Sequence, residues 1–285
     1  MPELNKATIG KQYPAVEMAI ELHETIYYAV GTNDPNPMYL DGTRPGGVIA
    51  PPMYAVKYGG APIAHVMFDK EIGEGFFATL VHGEQEMEWF KAVKPGMKLK
   101  CQGNIKNIED KGTGELISIE SNVTDAATGD KIMREVFIFF VRGWGKMQKK
   151  AKEAEAPEDR SKPAFVAKEN VLVGQTFLYA EPSGDHNPIH INIDFANKVG
   201  LGGIILQGLC SMAFCHKAVV QKVCDGNPLK LKKFFVRFSK PVRPGDELTI
   251  TGWWTGAKTI GFEAQNQKGD FVIKGGTAEL GEVAP

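Results

Sequence analysis

Tyr28–Tyr39 reads YAVGTNDPNPMY and Tyr179–His190 reads YAEPSGDHNPIH, and the two stretches can be laid over one another without a gap. The Tyr, Ala, Asp, Asn and Pro positions coincide, so that Asp34 falls under Asp185, 151 positions later. A single short match of this kind can arise by chance. The question that follows is whether the flanking sequence repeats as well.

Two further matches follow in the same order along the chain. The residues GGVI at 46–49 resemble GGII at 202–205, and VKPGMKL at 93–99 resembles VRPGDEL at 242–248. Three matches in one order favour an internal duplication, with two copies of one structural unit in the chain.

A segment near the middle of the chain separates the two copies. Residues 145–163 read GKMQKKAKEAEAPEDRSKP, a run of Lys, Glu, Ala and Pro with almost nothing to bury. We predict an N-terminal domain over residues 1–145, a linker over 146–163 and a C-terminal domain over 164–285.

Each copy has a polar Asp/Asn/Pro loop, a Gly-rich turn, an apolar helix and several strands. The helix of the second copy is predicted from Gln207–Gly208 to about Val223, because its apolar residues recur at spacings of three and four. The corresponding N-terminal segment is interrupted by Gly59–Gly60 and Pro62. Alternating apolar runs then predict an antiparallel sheet. The expected class is α+β, a long helix wrapped by an antiparallel sheet, made twice.

The composition excludes several classes of partner. The 285 residues carry a formal net charge of -1, without the cationic excess that nucleic acid or a membrane surface requires. No apolar run approaches the ~20 residues needed to cross a bilayer. The four cysteines have no C-x-x-C spacing, so buried free thiols and a reducing compartment are expected. We therefore expect a cytoplasmic protein.

The side chains that are candidates for chemistry lie in the second copy. Asp185, Asn187 and His190 lie within six positions. Their segment resembles the signature of the MaoC-like and type 2 enoyl-CoA hydratase family, aromatic-x-x-x-[ST]-G-D-x-N-P-[ILV]-H with a small residue downstream, here Ala196. The likeness continues through residues 203–214 and 236–248. It implies a double hot-dog fold over the whole chain and, in a eukaryote, a peroxisomal location.

The resemblance implies reversible hydration of a trans-2-enoyl-CoA to an (R)-3-hydroxyacyl-CoA. That reaction needs a base for water, an acid for C2 and donors for the developing enolate oxygen. Asp185 and His190 can share the two proton transfers, in an order that the sequence leaves open. Asn187 is implied to orient the water. The backbone N–H of Gly208, at the start of the core helix, is the expected oxyanion donor.

Three further residues are predicted to contact the substrate. Many relatives have His before the helix-initial glycine, whereas this chain has Gln207. Arg237 and Arg243 could meet the phosphates of coenzyme A, although basic residues at the end of a strand are more often just exposed. Coenzyme A is then part of the substrate, and we expect no cofactor.

The first copy is expected to lack a site. Asp34 and Asn36 persist, but Tyr39 replaces the histidine and Pro51–Pro52 stand where Gln–Gly begins the other helix. Proline there removes an N–H donor. The resemblance implies that this half accommodates the acyl chain, and ordinary core packing is an equal alternative for its apolar residues.

Other interpretations stay open. His23, His65 and His82 lack partners at metal spacing, so no metal is expected, and His216 is predicted to be a satisfied core residue. The alternatives are dehydration of another acyl thioester (mesaconyl- or methylmalyl-CoA, a steroid side chain or acyl carrier protein), thioester hydrolysis, and non-catalytic binding of acyl thioesters. Two units in one chain imitate a dimer, and we expect either a monomer or a homodimer.

Overall fold

The computed structural model describes residues 2–146 and 160–285, and within them ten strands form one antiparallel sheet. Five strands belong to each half of the chain. The strands are β1 Val16–Ala19, β2 Leu80–Trp89, β3 Lys98–Asp110, β4 Gly114–Asp125, β5 Lys131–Arg142, β6 Phe165–Asn170, β7 Leu231–Phe238, β8 Glu247–Gly256, β9 Thr259–Asn266 and β10 Phe271–Leu280.

The order across the sheet is β1-β3-β4-β5-β2-β7-β10-β9-β8-β6, so the halves join where β2 pairs with β7. There Glu84 lies opposite Arg237 and Glu88 lies opposite Lys233. From each outer edge inward the order is β1-β3-β4-β5-β2 in the first half and β6-β8-β9-β10-β7 in the second, so the strands of each half occupy the same places in the same chain order. The duplication inferred from sequence is therefore present in the sheet topology.

Eight α-helices accompany the sheet in the described part of the chain. They are α1 Leu22–Gly31, α2 Pro37–Leu40, α3 Ala55–Tyr58, α4 Ile63–Met67, α5 Gln175–Ser183, α6 Pro188–Ile191, α7 Ile193–Lys198 and α8 Gly208–Val223.

Helix α8 is the long core helix, and both its bounds match the sequence prediction. Its residues from Cys210 to Val220 are buried. In the N-terminal half the same place holds only a 3₁₀ turn at Pro52–Tyr54 and the short helices α3 and α4. Gly59, just after α3, allows the side chain of buried Glu135 to approach this segment, because a Cβ at that position would lie 1.6 Å from Oε1 of Glu135.

The first half of each repeated motif is helical, and the sequence analysis did not predict these helices. Tyr28 lies in α1 and Tyr179 in α5, and their hydroxyl oxygens are 3.3 Å apart where the two helices pack. Gly31 allows this approach, since a Cβ there would lie 2.7 Å from the carbonyl oxygen of Leu178. Helix α5 also contains Pro182, and such residues hide a helix from sequence patterns.

Several smaller expectations can be compared with the structure. All four cysteines are free and buried, as predicted. His216 lies in the core between Trp89 and Phe234, but its Nε2 has no hydrogen-bond partner among the described residues, so it is not satisfied. Residues 147–159 of the predicted linker lie outside the described residues. None of the helices described is both long and apolar enough to span a bilayer.

Candidate active site

The loop between α5 and α6 owes its shape to local chemistry. Helix α5 ends at Gly184, which has a φ of 75° in the left-handed region that glycine tolerates. Asn187 then caps α6, since its Oδ1 accepts a hydrogen bond from the N–H of Ile189 at 3.3 Å. Pro188 occupies the first helical position, where a missing N–H costs little. The G-D-x-N-P order thus fixes the backbone on both sides of Asp185.

His190 is buried and its imidazole has a defined orientation. Its Nδ1 lies 2.8 Å from the carbonyl oxygen of Ile205, and because a carbonyl only accepts, Nδ1 carries the hydrogen. Nε2 is therefore the nitrogen that faces Asp185, with 3.7 Å between Nε2 and Oδ2. At this separation the two groups are neighbours without a direct hydrogen bond.

Asp185 is the more exposed member of the pair, with 37% of its side chain accessible against 9% for His190. Its Oδ1 accepts a hydrogen bond from the N–H of Asn187 at 3.2 Å, and its own N–H donates to Ser183 Oγ at 3.2 Å. These contacts hold the carboxylate at the surface of the loop, with Oδ2 directed toward the histidine.

Gln207 forms hydrogen bonds to the backbone at and before this loop. Its side chain is fully buried, and Nε2 donates to the carbonyl oxygens of Asp185 at 3.3 Å and Thr176 at 3.1 Å. Its Oε1 has no hydrogen-bond partner among the described residues. The sequence suggested a substrate contact for Gln207, whereas the structure gives it a positioning contact. The signal available in the sequence was an amide side chain directly before the predicted start of a helix.

Gly208 begins helix α8 where backbone donors are available. The first intrahelical bonds come from the N–H groups of Cys210 and Ser211, which both donate to the carbonyl of Gln207. The preceding cap residue makes no side-chain capping bond, and the Gly208 amide donates to no acceptor among the described residues, so this amide and the positive end of the helix dipole are available to a ligand. A Cβ on Gly208 would lie 3.2 Å from the Phe238 ring.

Asn187 stands at the edge of the site and is exposed. Since its Oδ1 caps α6, the Nδ2 amide is the end that remains for a ligand. The predicted role in orienting water is compatible with this placement and stays a prediction.

The guanidinium groups of Arg237 and Arg243, predicted to contact the phosphates of coenzyme A, are bound to other parts of the protein. Arg237 lies next to buried Val236 on the opposite face of β7, and its Nε binds Glu84 Oε1 at 2.7 Å. Arg243 donates to backbone carbonyls of residues 201–204 instead. Their contact with coenzyme A stays a prediction, and both guanidinium groups already have protein partners.

The corresponding N-terminal loop is closed. Asp34 and Asn36 are buried, and Asn36 Nδ2 donates to the carbonyl of Gly226 at 2.8 Å. Burial raises the pKa of Asp34 to about 6, while Lys217 opposes this shift. Tyr39 is fully buried, and its hydroxyl has no partner among the described residues. This loop therefore has no acid/base pair.

Two crevices in the described structure lie away from Asp185 and His190. One, of about 390 Å³, opens beside Asn36, and a much smaller one of about 20 Å³ lies at Pro51–Pro52. The candidate site is therefore identified by its chemistry rather than by the depth of a cavity. Within the described residues no group of three or more His, Cys, Asp or Glu side chains could hold a metal ion.

Two known protein families match separate segments of the chain. Residues 151–274 match the family described as "MaoC like domain", and residues 7–135 match the one described as "FAS1-like, dehydratase domain region". The copy of the motif with Asp185 and His190 lies in the first of these segments, and the copy with Asp34 and Tyr39 lies in the second.

Two curated relatives are similar to this chain over most of its length. The "Probable enoyl-CoA hydratase 2" of Dictyostelium discoideum is 31% identical over 204 residues, which are 70% of this chain and 69% of that protein. The "Peroxisomal multifunctional enzyme type 2" of Mus musculus is 31% identical over 95% of this chain, which spans only 38% of the mouse protein.

Solved structures show the fold. A MaoC-like dehydratase from Phytophthora capsici superposes with a TM-score of 0.82 at 24% identity and covers 98% of both chains. A Mycobacterium tuberculosis protein described as a double hotdog fold superposes with a TM-score of 0.60 at 11% identity, over 96% of this chain and 96% of its own. The α+β double hot-dog prediction is confirmed. The chain belongs to the family of MaoC-like dehydratases and enoyl-CoA hydratases, which are hydro-lyases.

Proposed function

We propose that this protein reversibly hydrates a trans-2-enoyl-CoA to the (R)-3-hydroxyacyl-CoA at one site in its C-terminal half. The observation that carries the proposal is the pairing of His190 Nε2 with Asp185 Oδ2 at 3.7 Å, beside a helix start with available amides. The (R) configuration rests on the family resemblance.

The geometry suggests how the two groups share the work. Because Nδ1 of His190 is held by the carbonyl of Ile205, its Nε2 and the Asp185 carboxylate face one another across a gap that a water molecule can approach. One group takes a proton from water as its oxygen bonds to C3, and the other delivers a proton to C2. In the reverse direction the same groups exchange roles.

The enolate that develops at the thioester carbonyl needs a donor. The N–H of Gly208 is suited to this, since it begins α8 and makes no intrahelical bond. The segment from Ile205 to Gly208 carries both the carbonyl that orients His190 and this amide, so it fixes the acid/base group and the oxyanion donor relative to each other.

The acyl group and its carrier are further parts of the proposal. The names of the relatives support an acyl-CoA, with coenzyme A as part of the substrate. The absence of a further cofactor stays a prediction from the sequence. Dehydration of another acyl thioester, including one on acyl carrier protein, is the second candidate. A homodimer and a cytoplasmic location, peroxisomal in a eukaryote, stay predictions from the sequence.

The test is the absorbance of the enoyl-thioester band, followed with crotonyl-CoA and with a longer enoyl-CoA. We expect wild-type protein to remove the band, and His190→Ala to slow this by at least ~100-fold, as for loss of an acid/base group. A thiol reagent added in parallel detects free CoA and so identifies a thioesterase. An unchanged band with both substrates at high protein concentration would contradict enoyl-CoA hydration.

A further inference from the structure

The guanidinium group of Arg243 holds a glycine-rich turn. Its Nη1 lies 2.9 Å from the carbonyl oxygen of Gly203 and 3.3 Å from that of Gly202, and its Nη2 donates to the carbonyl of Leu201. The two glycines have φ values of 118° and 65°, which turn successive carbonyls toward one side. A planar group with several N–H donors can bind them together, which a single ammonium cannot do.

This turn leads directly into the backbone that orients the catalytic imidazole. Ile205 follows it, accepting from His190 Nδ1 at 2.8 Å and donating its own N–H to the carbonyl of Ile189 at 3.2 Å. A shift of the turn would therefore remove the acceptor that keeps the hydrogen on Nδ1 and Nε2 directed at the substrate.

Arg243 is itself anchored at its backbone. Its N–H donates to Asp246 Oδ2 at 2.7 Å, and Asp246 Oδ1 accepts from Gln267 Nε2 at 2.8 Å. The carbonyl of the preceding Val242 accepts from the N–H of Leu206 at 2.8 Å. The arginine thus links the start of β8 to the turn on one side and to the helix-initiating segment on the other.

The N-terminal copy supplies a natural comparison. There the same backbone contact persists, with the N–H of Ile49 donating to the carbonyl of Met38 at 2.9 Å. However, Lys94 stands in the position of Arg243, and Tyr39 in that of the histidine. The forked donor occurs in the copy that has an imidazole to orient.

We propose that Arg243 is a positioning residue, which holds residues 201–204 and through them the tautomer and orientation of His190. This rests on the proposed hydratase function, and it replaces the phosphate contact expected from sequence. The two roles predict different kinetics, because a positioning residue affects the reaction of any acyl thioester, whereas a phosphate ligand affects only substrates that carry the nucleotide.

The decisive variant is Arg243→Lys, assayed with crotonyl-CoA and with crotonyl-pantetheine, which lacks the nucleotide phosphates. Lysine keeps the charge that a phosphate recognises but loses the fork. We expect kcat to fall about tenfold with both thioesters, the effect of roughly one lost hydrogen bond, while each KM changes little. Wild-type kcat with both, or a raised KM confined to crotonyl-CoA, would overturn the proposal.

A spectroscopic measurement reads the tautomer without turnover. In protein with ¹⁵N-labelled histidine, with the His190 signal assigned by comparison with His190→Ala, we expect wild type to show a single tautomer with hydrogen on Nδ1. Arg243→Lys should show a mixture of tautomers or a shifted Nδ1 signal. An unchanged His190 spectrum in the variant would contradict the positioning role, whether or not the protein turns over either thioester. Inactivity of the wild type on both thioesters would instead contradict the proposed function.

The matched control is Arg134→Lys. Arg134 is a partly buried guanidinium in the N-terminal half, whose Nη1 and Nε bind Glu86 and Glu120 at 2.6 and 2.7 Å. Because it lies on β5 away from the site, its replacement should leave kcat and the His190 spectrum unchanged. A loss of kcat in this control equal to that of Arg243→Lys would assign the effect to general destabilisation and overturn the proposal.

Discussion

The loops at Asp34–Tyr39 and Asp185–His190 have nearly the same backbone conformation but differ in whether their side chains are available for chemistry. Asn36 has φ and ψ of -58° and 124°, Asn187 has -56° and 127°, and each caps a short helix that begins with proline. Yet Asp34 is buried, whereas Asp185 is partly exposed, with 37% of its side chain accessible. The motif determines the conformation of the loop, and the elements packed against the loop determine whether it can work.

The difference follows from the unequal helices of the two halves. Asn36 donates to the carbonyl of Gly226 just beyond the end of α8, and Lys217 on α8 donates to the carbonyl of Asn33 at 2.9 Å. Among the described residues, the hydrogen bonds of Asp185 and Asn187 stay within their own half. A long helix thus covers the N-terminal loop, whereas in the described part of the chain no hydrogen bond joins Asp185 or Asn187 to the other half.

The largest expected effect comes from the two aspartates themselves. Asp185→Asn removes the proposed acid/base group and should lower kcat/KM for crotonyl-CoA by at least ~100-fold. The same substitution at Asp34 should leave kcat/KM near the wild-type value, since Asp34 is buried against α8. Similar losses in both variants, measured by the decrease in enoyl-thioester absorbance, would show that the two loops do not differ in the way proposed.

A proline at Gly208 would make the start of α8 resemble the corresponding turn at Pro51–Pro52 in the N-terminal half. Gln207 has φ and ψ of -57° and 132°, close to -52° and 132° for Pro51, so Gly208→Pro copies the N-terminal half at a position where proline suits a helix. Loss of the N–H should lower kcat by ~100- to 1000-fold. Gly208→Ala keeps the N–H and is the control for crowding against Phe238. Equal activity of the proline and alanine variants would exclude the oxyanion role.

A smaller decrease in kcat is expected from substitution of Gln207, which supports the Asp185 loop. Gln207→Met removes the hydrogen bonds to the carbonyls of Asp185 and Thr176, and we expect kcat to fall about tenfold as the loop loosens. Gln85→Met is the control, because Gln85 is equally buried and hydrogen-bonded to Glu135 in the other half. Should kcat fall equally in both variants, stability rather than positioning would be the cause.

The smallest expected change is in stability. Burial raises the pKa of Asp34 to about 6, so the folded protein binds this proton more tightly than the unfolded chain does. Ionised Asp34 therefore opposes folding above pH 6, and this cost disappears as the pH falls toward 4. Asp34→Asn should raise the free energy of unfolding by about 1–3 kcal/mol at pH 8 and by much less at pH 4, measured by urea unfolding. An equal gain at both pH values would contradict burial as its cause.

Patterns within a short stretch of sequence determined a large part of this protein. The spacing of apolar residues placed α8 at Gly208–Val223, and Gly59–Gly60 with Pro62 indicated the broken helix opposite. Asp185 and His190 were identified together because the signature that contains them is local. These features depend on backbone preferences and on periodicity, which neighbouring residues carry by themselves.

Only the tertiary structure decided which partners these residues meet. The helices α1 and α5 were not predicted from the sequence, because Tyr28, Gly31 and Tyr179 are explained by packing between the two halves. It predicted ligand contacts for Gln207 and Arg243, whose donors bind backbone carbonyls about 22 and 40 residues away. Such contacts are set by how distant segments pack, and no local pattern records which donor meets which acceptor.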